Sequence, residues 1–406
     1  MTKENGKPQI RFAKFKDTWE QRKLGDIITE YKETVDSECT LPILTSSKTE
    51  GVILQEEHFG RKQQHDITGY NILPRNYCTY RNRSDGVDFT FNINKCCDKG
   101  IISKFYPVFS GKNSDVLFLS LVLNNSDEVV REIAYTCTGT GQKVLSFLDL
   151  QKMKVRVPSY DEQKEIAAYF ENLDHLITLH QLKYDETKKL KKCMLQKMFP
   201  KEGEKVPEIR FSGFTGDWKQ RKFGDMVIIE RGGSPRPIDK FITEDENGLS
   251  WVKIGDAPEQ GNYIIRTKEK IKPEGLSKTR EVHPGDLILS NSMSFGRPYI
   301  MAIDGCIHDG WLLIRDHEKK FDLKYLCCML GTDMMLFQYK QMAAGSTVNN
   351  LNKELVGNTV VKYPSPAEQS KIGVYFSTLD GIITLHKKKC DELRNIKKFM
   401  LQNMFI

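Results

Sequence analysis

The sequence predicts a mixed α/β (α+β) protein in which two globular domains are separated by two long helices that form an antiparallel coiled coil. A pseudo-twofold internal repeat relates the two halves of the chain. Three observations predict this fold class. The chain has 406 residues, which is more than one usual domain needs. Two separate blocks of sequence each occur twice, and the longer block carries apolar residues at coiled-coil spacing.

The shorter repeated block matches residues 8–26 with residues 207–225, and 11 of the 19 positions are identical. The longer block matches residues 157–199 with residues 363–405 without a gap, and 23 of its 43 positions are identical. Between the blocks, in residues 27–156 and 226–362, identity almost disappears. A constant frame therefore encloses two segments that differ from each other.

Each variable segment has the pattern of a mixed α/β globule with many short strands. A strand-like apolar run lies beside Pro74 in the first half and beside Pro284 in the second. A helix-like apolar stretch follows at residues 115–134 or 322–341. A polar turn, 139–140 or 345–346, then leads into the longer constant block.

Each copy of the longer block predicts a helix of about 38 residues, which would be about 57 Å long. Ser159 is the expected N-cap, in a capping box with Glu162, and Ser365 and Glu368 hold the same places in the second copy. Apolar residues at alternating steps of four and three form the expected seam: Ile166, Phe170, Leu173, Ile177, Met194 and Met198, and then Ile372, Phe376, Leu379, Ile383, Leu393, Met400 and Met404. A pair of helices that packs into a larger core remains an alternative.

Polar residues interrupt this seam at His180 and Lys191, and at the equivalent His386 and Lys397. We expect a change of phase through Leu190 and Ile396 to carry the apolar stripe past the lysines. These patterns divide the chain into a first globule at 1–157, a helix at 158–199, a linker at 200–207, a second globule at 208–363 and a helix at 364–406.

Composition excludes several classes of protein. No apolar run approaches the roughly 20 residues that a membrane-spanning helix needs, and residues 1–12 lack the apolar core of a secretory signal. We therefore expect a cytoplasmic protein. The ten cysteines are scattered, and neither they nor the eight histidines show the spacing of a metal site, so no metal is expected. The net charge of +7 is compatible with a polyanionic partner.

The two halves resemble the specificity (DNA-recognition) subunit of Type I restriction-modification systems. The most specific part of the resemblance is the pair of segments 157–163 (VPSYDEQ) and 363–369 (YPSPAEQ), each of which leads into a long helix. In the second half, segments 232–235 (GGSP), 251–256 (WVKIGD) and 284–287 (PGDL) also resemble family patterns. The first half departs from these patterns, for example at Pro74-Arg75-Asn76.

The resemblance implies two target-recognition domains, each reading one half of a split, asymmetric DNA sequence, with the helices as the spacer. It also implies assembly on double-stranded DNA with two methyltransferase (modification) subunits, which methylate adenine, and with restriction/translocase subunits. This chain is then expected to bind no cofactor, and S-adenosylmethionine, ATP and Mg²⁺ would belong to the partner subunits.

Catalytic motifs are missing from the sequence. There is no Asn/Asp-Pro-Pro-Tyr/Phe motif of an adenine methyltransferase and no P-loop, and Gly139-Thr140-Gly141 lacks the third glycine of a dinucleotide fingerprint. We therefore expect a non-catalytic subunit with no catalytic residues. Two alternatives remain: a self-sufficient Mg²⁺-dependent nuclease that uses Asp174 with Glu186 and Lys188, and a coiled-coil scaffold that binds no DNA.

Candidate DNA contacts are polar and basic residues that follow strand-like runs in the variable globules. Arginine can bind guanine and asparagine can bind adenine in bidentate fashion. The candidates in the first globule are Ser46, Ser47, Lys48, Arg75, Tyr80, Arg81, Asn82, Arg83, Thr140 and Lys143. Those in the second are Ser234, Arg236, Lys253, Lys278, Arg280, Asn291, Ser292, Ser294, Arg297 and Asn349.

Overall fold

A computed structural model describes residues 7–61, 66–139, 141–291, 296–344 and 351–406. The chain forms two compact units. Unit 1 contains Met1–Thr178 together with Cys390–Ile406, and unit 2 contains Leu179–Lys389. The end of the chain therefore folds with the first globule, and each long helix contributes residues to both units.

Unit 1 is built on antiparallel strands. A four-stranded sheet has the order β2-β10-β6-β8, and two-stranded pairs join β1 with β12, β3 with β4, β5 with β9, and β7 with β11. The strands are β1 Glu20–Lys23, β2 Ile28–Tyr31, β3 Leu44–Ser47, β4 Gly51–Leu54, β5 Asn71–Pro74, β6 Cys78–Tyr80, β7 Arg83–Ser84, β8 Phe91–Ile93, β9 Lys99–Ile102, β10 Val108–Gly111, β11 Lys143–Val144 and β12 Lys154–Val157.

The helices that begin in unit 1 are α1 Leu24–Ile27, α2 Gln55–Phe59, α3 Val116–Asn125, α4 Asp127–Thr136, α5 Phe147–Lys152 and the long helix α6 Tyr160–Lys197. The single helix-like stretch expected at 115–134 is thus two helices. Ser126 separates them, because its extended backbone ends α3 while its hydroxyl accepts a hydrogen bond from the amide of Val129 at the start of α4.

Unit 2 contains two five-stranded sheets, of order β14-β23-β20-β21-β17 and β15-β18-β16-β22-β19, and the pair β13-β24. Its strands are β13 Lys219–Lys222, β14 Ile228–Arg231, β15 Ile242–Thr243, β16 Leu249–Val252, β17 Tyr263–Ile264, β18 Glu269–Ile271, β19 Arg280–Val282, β20 Leu287–Ser290, β21 Pro298–Met301, β22 Gly305–Ile307, β23 Trp311–Arg315 and β24 Val360–Tyr363. Its further helices are α7 Leu323–Leu330, α8 Asp333–Ala344, α9 Lys353–Gly357 and the long α10 Pro366–Asn403. Here too the expected single stretch, 322–341, is two helices, with a break at Gly331 and Thr332.

The long helices run antiparallel inside each unit, as the sequence predicts. In unit 1, Lys397 of α10 lies 2.5 Å from the carboxylate of Asp174 of α6, and Phe405, just after α10, stacks on Phe170. In unit 2, Lys191 of α6 lies 2.5 Å from the carboxylate of Asp380 of α10. The Nδ1 atoms of His180 and His386 also lie 2.9 Å apart in unit 2, so in each unit later residues of α6 contact earlier residues of α10.

Two details of the expected helix pairing are wrong. Leu190 and Ile396 do not carry the seam, since their side chains are 42% and 45% exposed. The seam instead keeps its phase through Lys191 and Lys397, because each lysine forms an ion pair with an aspartate of the other helix. Ile177 is only half-buried, whereas Ile383 is buried.

The expected capping box is also only half formed. In α6 the hydroxyl of Ser159 accepts a weak hydrogen bond from the amide of Glu162 at 3.4 Å. The Glu162 carboxylate does not bind the backbone N–H of Ser159, because the guanidinium of Arg11 binds both of its oxygens at 2.6 Å. Arg210 and Glu368 repeat this bidentate pair in unit 2, at 2.7 and 2.8 Å.

Candidate nucleic-acid interface

Unit 1 brings several candidates together where three short elements meet. Lys48, after β3, lies 2.5 Å from the carboxylate of Asp88, and the carbonyl of Asp88 accepts a hydrogen bond from the hydroxyl of Ser84 at 3.1 Å. Ser84 in turn pairs with Lys143, and its neighbour Arg83 pairs with Val144, in the β7-β11 ladder. Three basic candidates from distant parts of the sequence therefore share one surface.

The remaining described candidates of unit 1 lie around this surface or away from it. The hydroxyl of Ser46 accepts from the side-chain amide of Asn92 at 2.8 Å, and the carbonyl of Ser47 accepts from the same amide at 2.9 Å. Arg81 is exposed. Arg75 is bound elsewhere, since its guanidinium donates to the carboxylate of Asp98 at 2.8 Å and to a backbone carbonyl.

Arg83 and Asn82 contribute different chemistry to the same edge. The guanidinium carbon of Arg83 lies 4.6 Å from the ring centre of Phe105, a cation–π contact that holds the side chain over the ring. The backbone of Asn82 pairs with Phe105 and Leu145. Its side-chain Oδ1 is buried and has no hydrogen-bond partner among the described residues.

Two candidates belong to the core, which corrects their assignment as DNA contacts. Tyr80 is fully buried, and its hydroxyl donates to the carbonyl of Leu145 at 3.0 Å; burial raises the pKa of this phenol well above its ordinary value. Asn291 is 2% exposed, and its side-chain amide donates to the carbonyl of Asp309 at 2.8 Å. Both polar groups satisfy backbone partners instead of facing solvent. Four further candidates, Thr140, Ser292, Ser294 and Asn349, lie outside the described residues.

Unit 2 holds its candidates around a loop that needs two glycines. A Cβ on Gly232 would lie 2.2 Å from the carbonyl oxygen of His308, and one on Gly233 would lie 2.3 Å from that of Lys278. Only glycine permits so close an approach of two backbones. The next residue, Ser234, lies with its hydroxyl 3.1 Å from the Asp309 carboxylate.

His308 is at the centre of this group, although the sequence analysis did not select it. Its ring centre lies 5.4 Å from that of Trp251, and its Nδ1 accepts a hydrogen bond from the backbone N–H of Gly310 at 2.9 Å. Burial lowers the pKa of His308, and the positive charges of Lys253, Arg236 and Arg231 lower it further, against the opposing carboxylate of Asp309. The lowered pKa favours the neutral imidazole, although the Asp309 carboxylate lies 2.9 Å from its Nδ1.

The other basic candidates of unit 2 are held by local contacts. The ammonium of Lys253 is paired with Glu269, and that of Lys278 lies 4.9 Å from the ring centre of Phe241. Arg280 lies 3.1 Å from the carboxylate of Glu230. Arg297 donates to the carbonyl of Glu259 at 3.0 Å and lies 5.0 Å from the ring centre of Tyr299.

Sequence reasoning therefore missed Arg231, His308 and Asp309. The sequence offered a weak signal, because His308-Asp309-Gly310 lies between two strand-like apolar runs. A histidine next to an aspartate is more often a satisfied core residue than a ligand-binding one, and only the fold places it beside Arg231.

The described ranges contain no group of three or more His, Cys, Asp or Glu residues that could hold a metal ion. Within the same ranges, no helix is both long enough and apolar enough to cross a bilayer.

Comparison with known proteins decides the family. The model of the Type I restriction modification DNA specificity domain matches the chain twice, at residues 16–189 and 215–395. The chain belongs to this family. It is the DNA-recognition subunit of a Type I restriction-modification system, and its role is non-catalytic. The family confirms the resemblance and gives no support to the nuclease or the scaffold.

Relatives and solved structures agree with this assignment. The specificity subunit of the Type I restriction enzyme MjaVIII from Methanocaldococcus jannaschii is 22% identical over 314 residues, which are 74% of this chain and 72% of the relative. The putative MjaX specificity subunit of the same organism is 23% identical over 63% of this chain and 59% of the relative. The crystal structure of the Type I restriction-modification S subunit from M. genitalium aligns with 98% of this chain and 99% of its own, with a TM-score of 0.62 and 14% identity. This likeness confirms the fold.

Proposed function

We propose that the two units read two different half-sites of one asymmetric, bipartite DNA target, and that the long helices set the gap between them. The observation that carries this proposal is that the repeated blocks form the same frame around two unlike variable segments. We call these segments, residues 27–156 and 226–362, the readers. In unit 1, β1 pairs with β12 so that Glu20 faces Val157, and in unit 2, β13 pairs with β24 so that Lys219 faces Tyr363. These positions are equivalent in the repeat.

The readers inside these frames differ in architecture. Unit 1 has one four-stranded sheet and several strand pairs, whereas unit 2 has two five-stranded sheets. The basic residues gathered on them differ too: Lys48, Arg83 and Lys143 in unit 1, and Arg231, Arg236 and Lys253 in unit 2. Because base edges are distinguished by the arrangement of donors and acceptors that face them, unlike surfaces of this kind favour unlike half-sites.

The repeated helices also offer two equivalent surfaces for partners. Leu176 and Ile382 are related by the repeat and are 40% and 36% exposed, and the related pair Leu190 and Ile396 is exposed to a similar extent. Apolar side chains exposed at the same places on both helices favour partner subunits that bind twice. We assign these surfaces to two methyltransferase subunits, with restriction/translocase subunits joining the assembly.

In this assembly S-adenosylmethionine, ATP and Mg²⁺ belong to the partner subunits, and this chain recognises the DNA sequence. A complex that modifies chromosomal DNA works in the cytoplasm. The missing methyltransferase and P-loop motifs support this division of labour.

The test is methylome mapping in cells that carry the complete system. Exchange of residues 27–156 for the corresponding segment of a relative should change one half-site and leave the other half-site and the gap unaltered. Insertion of seven residues after His180 and seven after His386 keeps the ion pairs on both sides, lengthens the paired helices by about 10 Å, and should widen the gap by about three base pairs. Exchange of the reader that altered both half-sites, or an insertion that altered the bases read, would contradict the proposal.

A further inference from the structure

A groove in unit 2, between the reader and the first long helix, concentrates positive charge. Its volume is about 550 Å³, and it is lined on the helix side by Lys188, Lys191 and Lys192 and on the reader side by Arg297. Among the described residues that line it, Asp380 is the single acidic one, and Lys191 already lies 2.5 Å from that carboxylate. The groove therefore carries an excess of three positive charges.

These three charges have no ion-pair partner among the residues that the structure describes. Lys188 and Lys192 are exposed, and the ammonium of Lys188 rests 4.9 Å from the ring centre of Tyr184. Arg297 is held in place by backbone carbonyls and by the ring of Tyr299, which are neutral groups. An anion entering the groove would thus meet three cations that no carboxylate of the described residues neutralises, and one of them, Arg297, is already held in position.

The three groove lysines lie on a different side of the helix from the exposed Leu190. Lys188, Lys191 and Lys192 stand at positions i, i+3 and i+4, which share one side of a helix. Leu190, which we assign to a protein partner, points to nearly the opposite side. The second long helix repeats the arrangement in sequence, with Arg394, Lys397 and Lys398 at the equivalent places.

We propose that this groove binds phosphates of the DNA backbone beside the half-site that unit 2 reads. The inference rests on the proposed function and adds a contact that positions the DNA without reading it. We favour DNA over an acidic protein as the occupant because the groove joins the spacer helix to Arg297 of the variable segment, the part of unit 2 to which the proposed function assigns the DNA. Phosphate contacts of this kind fix the register of a protein on the duplex and carry no sequence information.

The experiment compares two variants of the full chain in complex with its methyltransferase subunits. Lys188→Gln/Lys192→Gln removes two groove cations and leaves the Lys191–Asp380 pair intact. Lys189→Gln is the matched control, because Lys189 lies outside the groove lining and its equivalent in the second copy is the neutral Asn395. Binding to a target duplex and to an unrelated duplex is measured as a function of KCl concentration.

For the double variant we expect weaker binding to both duplexes and a log–log salt slope that is smaller by about 0.9 for each lost phosphate contact, about 1.8 in all. The control should keep the slope of the parent chain, and the methylated sequence and gap should be unchanged in both. An unchanged slope in the double variant would overturn the inference, and so would failure of that variant to assemble with the methyltransferase, which would make the groove a protein interface. Failure of the proposed function is a separate result, because the parent chain would then direct no bipartite methylation.

Discussion

Removal of the Arg11 side chain should destabilise unit 1 by an amount that the structure allows us to estimate. Arg11 binds both carboxylate oxygens of Glu162 at 2.6 Å, and the Glu162 side chain is 1% exposed. In Arg11→Met the aliphatic packing is largely kept, but a buried carboxylate loses its partner. Breaking a buried pair in this way costs about 3–5 kcal/mol. We expect the lower end, because Glu162 lies in the first turn of α6, where the helix dipole stabilises an anion.

Urea unfolding combined with hydrogen exchange would measure this loss and locate it in the chain. Amides of the unit 1 core should lose protection, whereas those of unit 2 should not. Arg210→Met is the matched variant, because Arg210 and Glu368 form the same pair in unit 2, and its loss should appear in unit 2. The double variant Arg11→Met/Glu162→Gln should recover much of the stability, since no buried charge is then unpaired. Parental stability of Arg11→Met, or a double variant less stable than Arg11→Met, would refute the reasoning.

Three further predictions concern the seam, the core and the reader loop. Burial, the neighbouring His180 and Lys183 lower the pKa of His386, so folding favours its neutral form. The free energy of unfolding should therefore fall as the pH drops below about 6.5. In thermal unfolding at pH 5–8, His386→Asn should reduce this dependence of stability on pH. Tyr80→Phe should lower the free energy of unfolding by about 1 kcal/mol, because one hydrogen bond is lost, and should leave the affinity for DNA unchanged in titrations. A large loss of affinity without a loss of stability would show that Tyr80 contacts DNA. Gly233→Ala should force the reader loop away from its neighbour and weaken DNA binding, and binding at parental strength would contradict the close packing of that loop.

The histidine pair explains how polar residues fit the seam. The Nδ1 atoms of His180 and His386 lie 2.9 Å apart, a distance at which one ring donates a hydrogen bond to the other. Lys191 meets Asp380 in the same way, by pairing across the helices. A one-dimensional pattern shows only that such residues interrupt an apolar stripe. Their partners belong to another part of the chain, and for that reason the sequence suggested a phase change through Leu190.

The repeat predicted the frame well because its pattern is local and occurs twice. The long helices, Tyr160–Lys197 and Pro366–Asn403, follow closely from their capping residues and apolar spacing. The strands of the readers were harder to predict, because they have two to five residues and many are buried on both faces. Side chains of adjacent residues then differ in environment: Tyr80 is in the core and Arg81 is exposed. Residue type after a strand could not separate these two.

The frame itself explains why readers of different architecture can be carried by one kind of helix. In unit 1 the chain enters the reader through β1 and leaves it through β12, and these strands are hydrogen-bonded to each other over four residue pairs. Arg11, before β1, is bound to Glu162, after β12, so the segments that flank the reader are also fixed to each other at the outer end of the ladder. The ends of the inserted segment are thus held together whatever fold lies between them, and the entropy of closing the segment grows only slowly with its length. Unit 2 repeats the same closure through β13, β24 and the Arg210–Glu368 pair. A new reader therefore has to complete the core that it shares with the long helices, as Phe118 does beside Phe170 and Phe405 in unit 1.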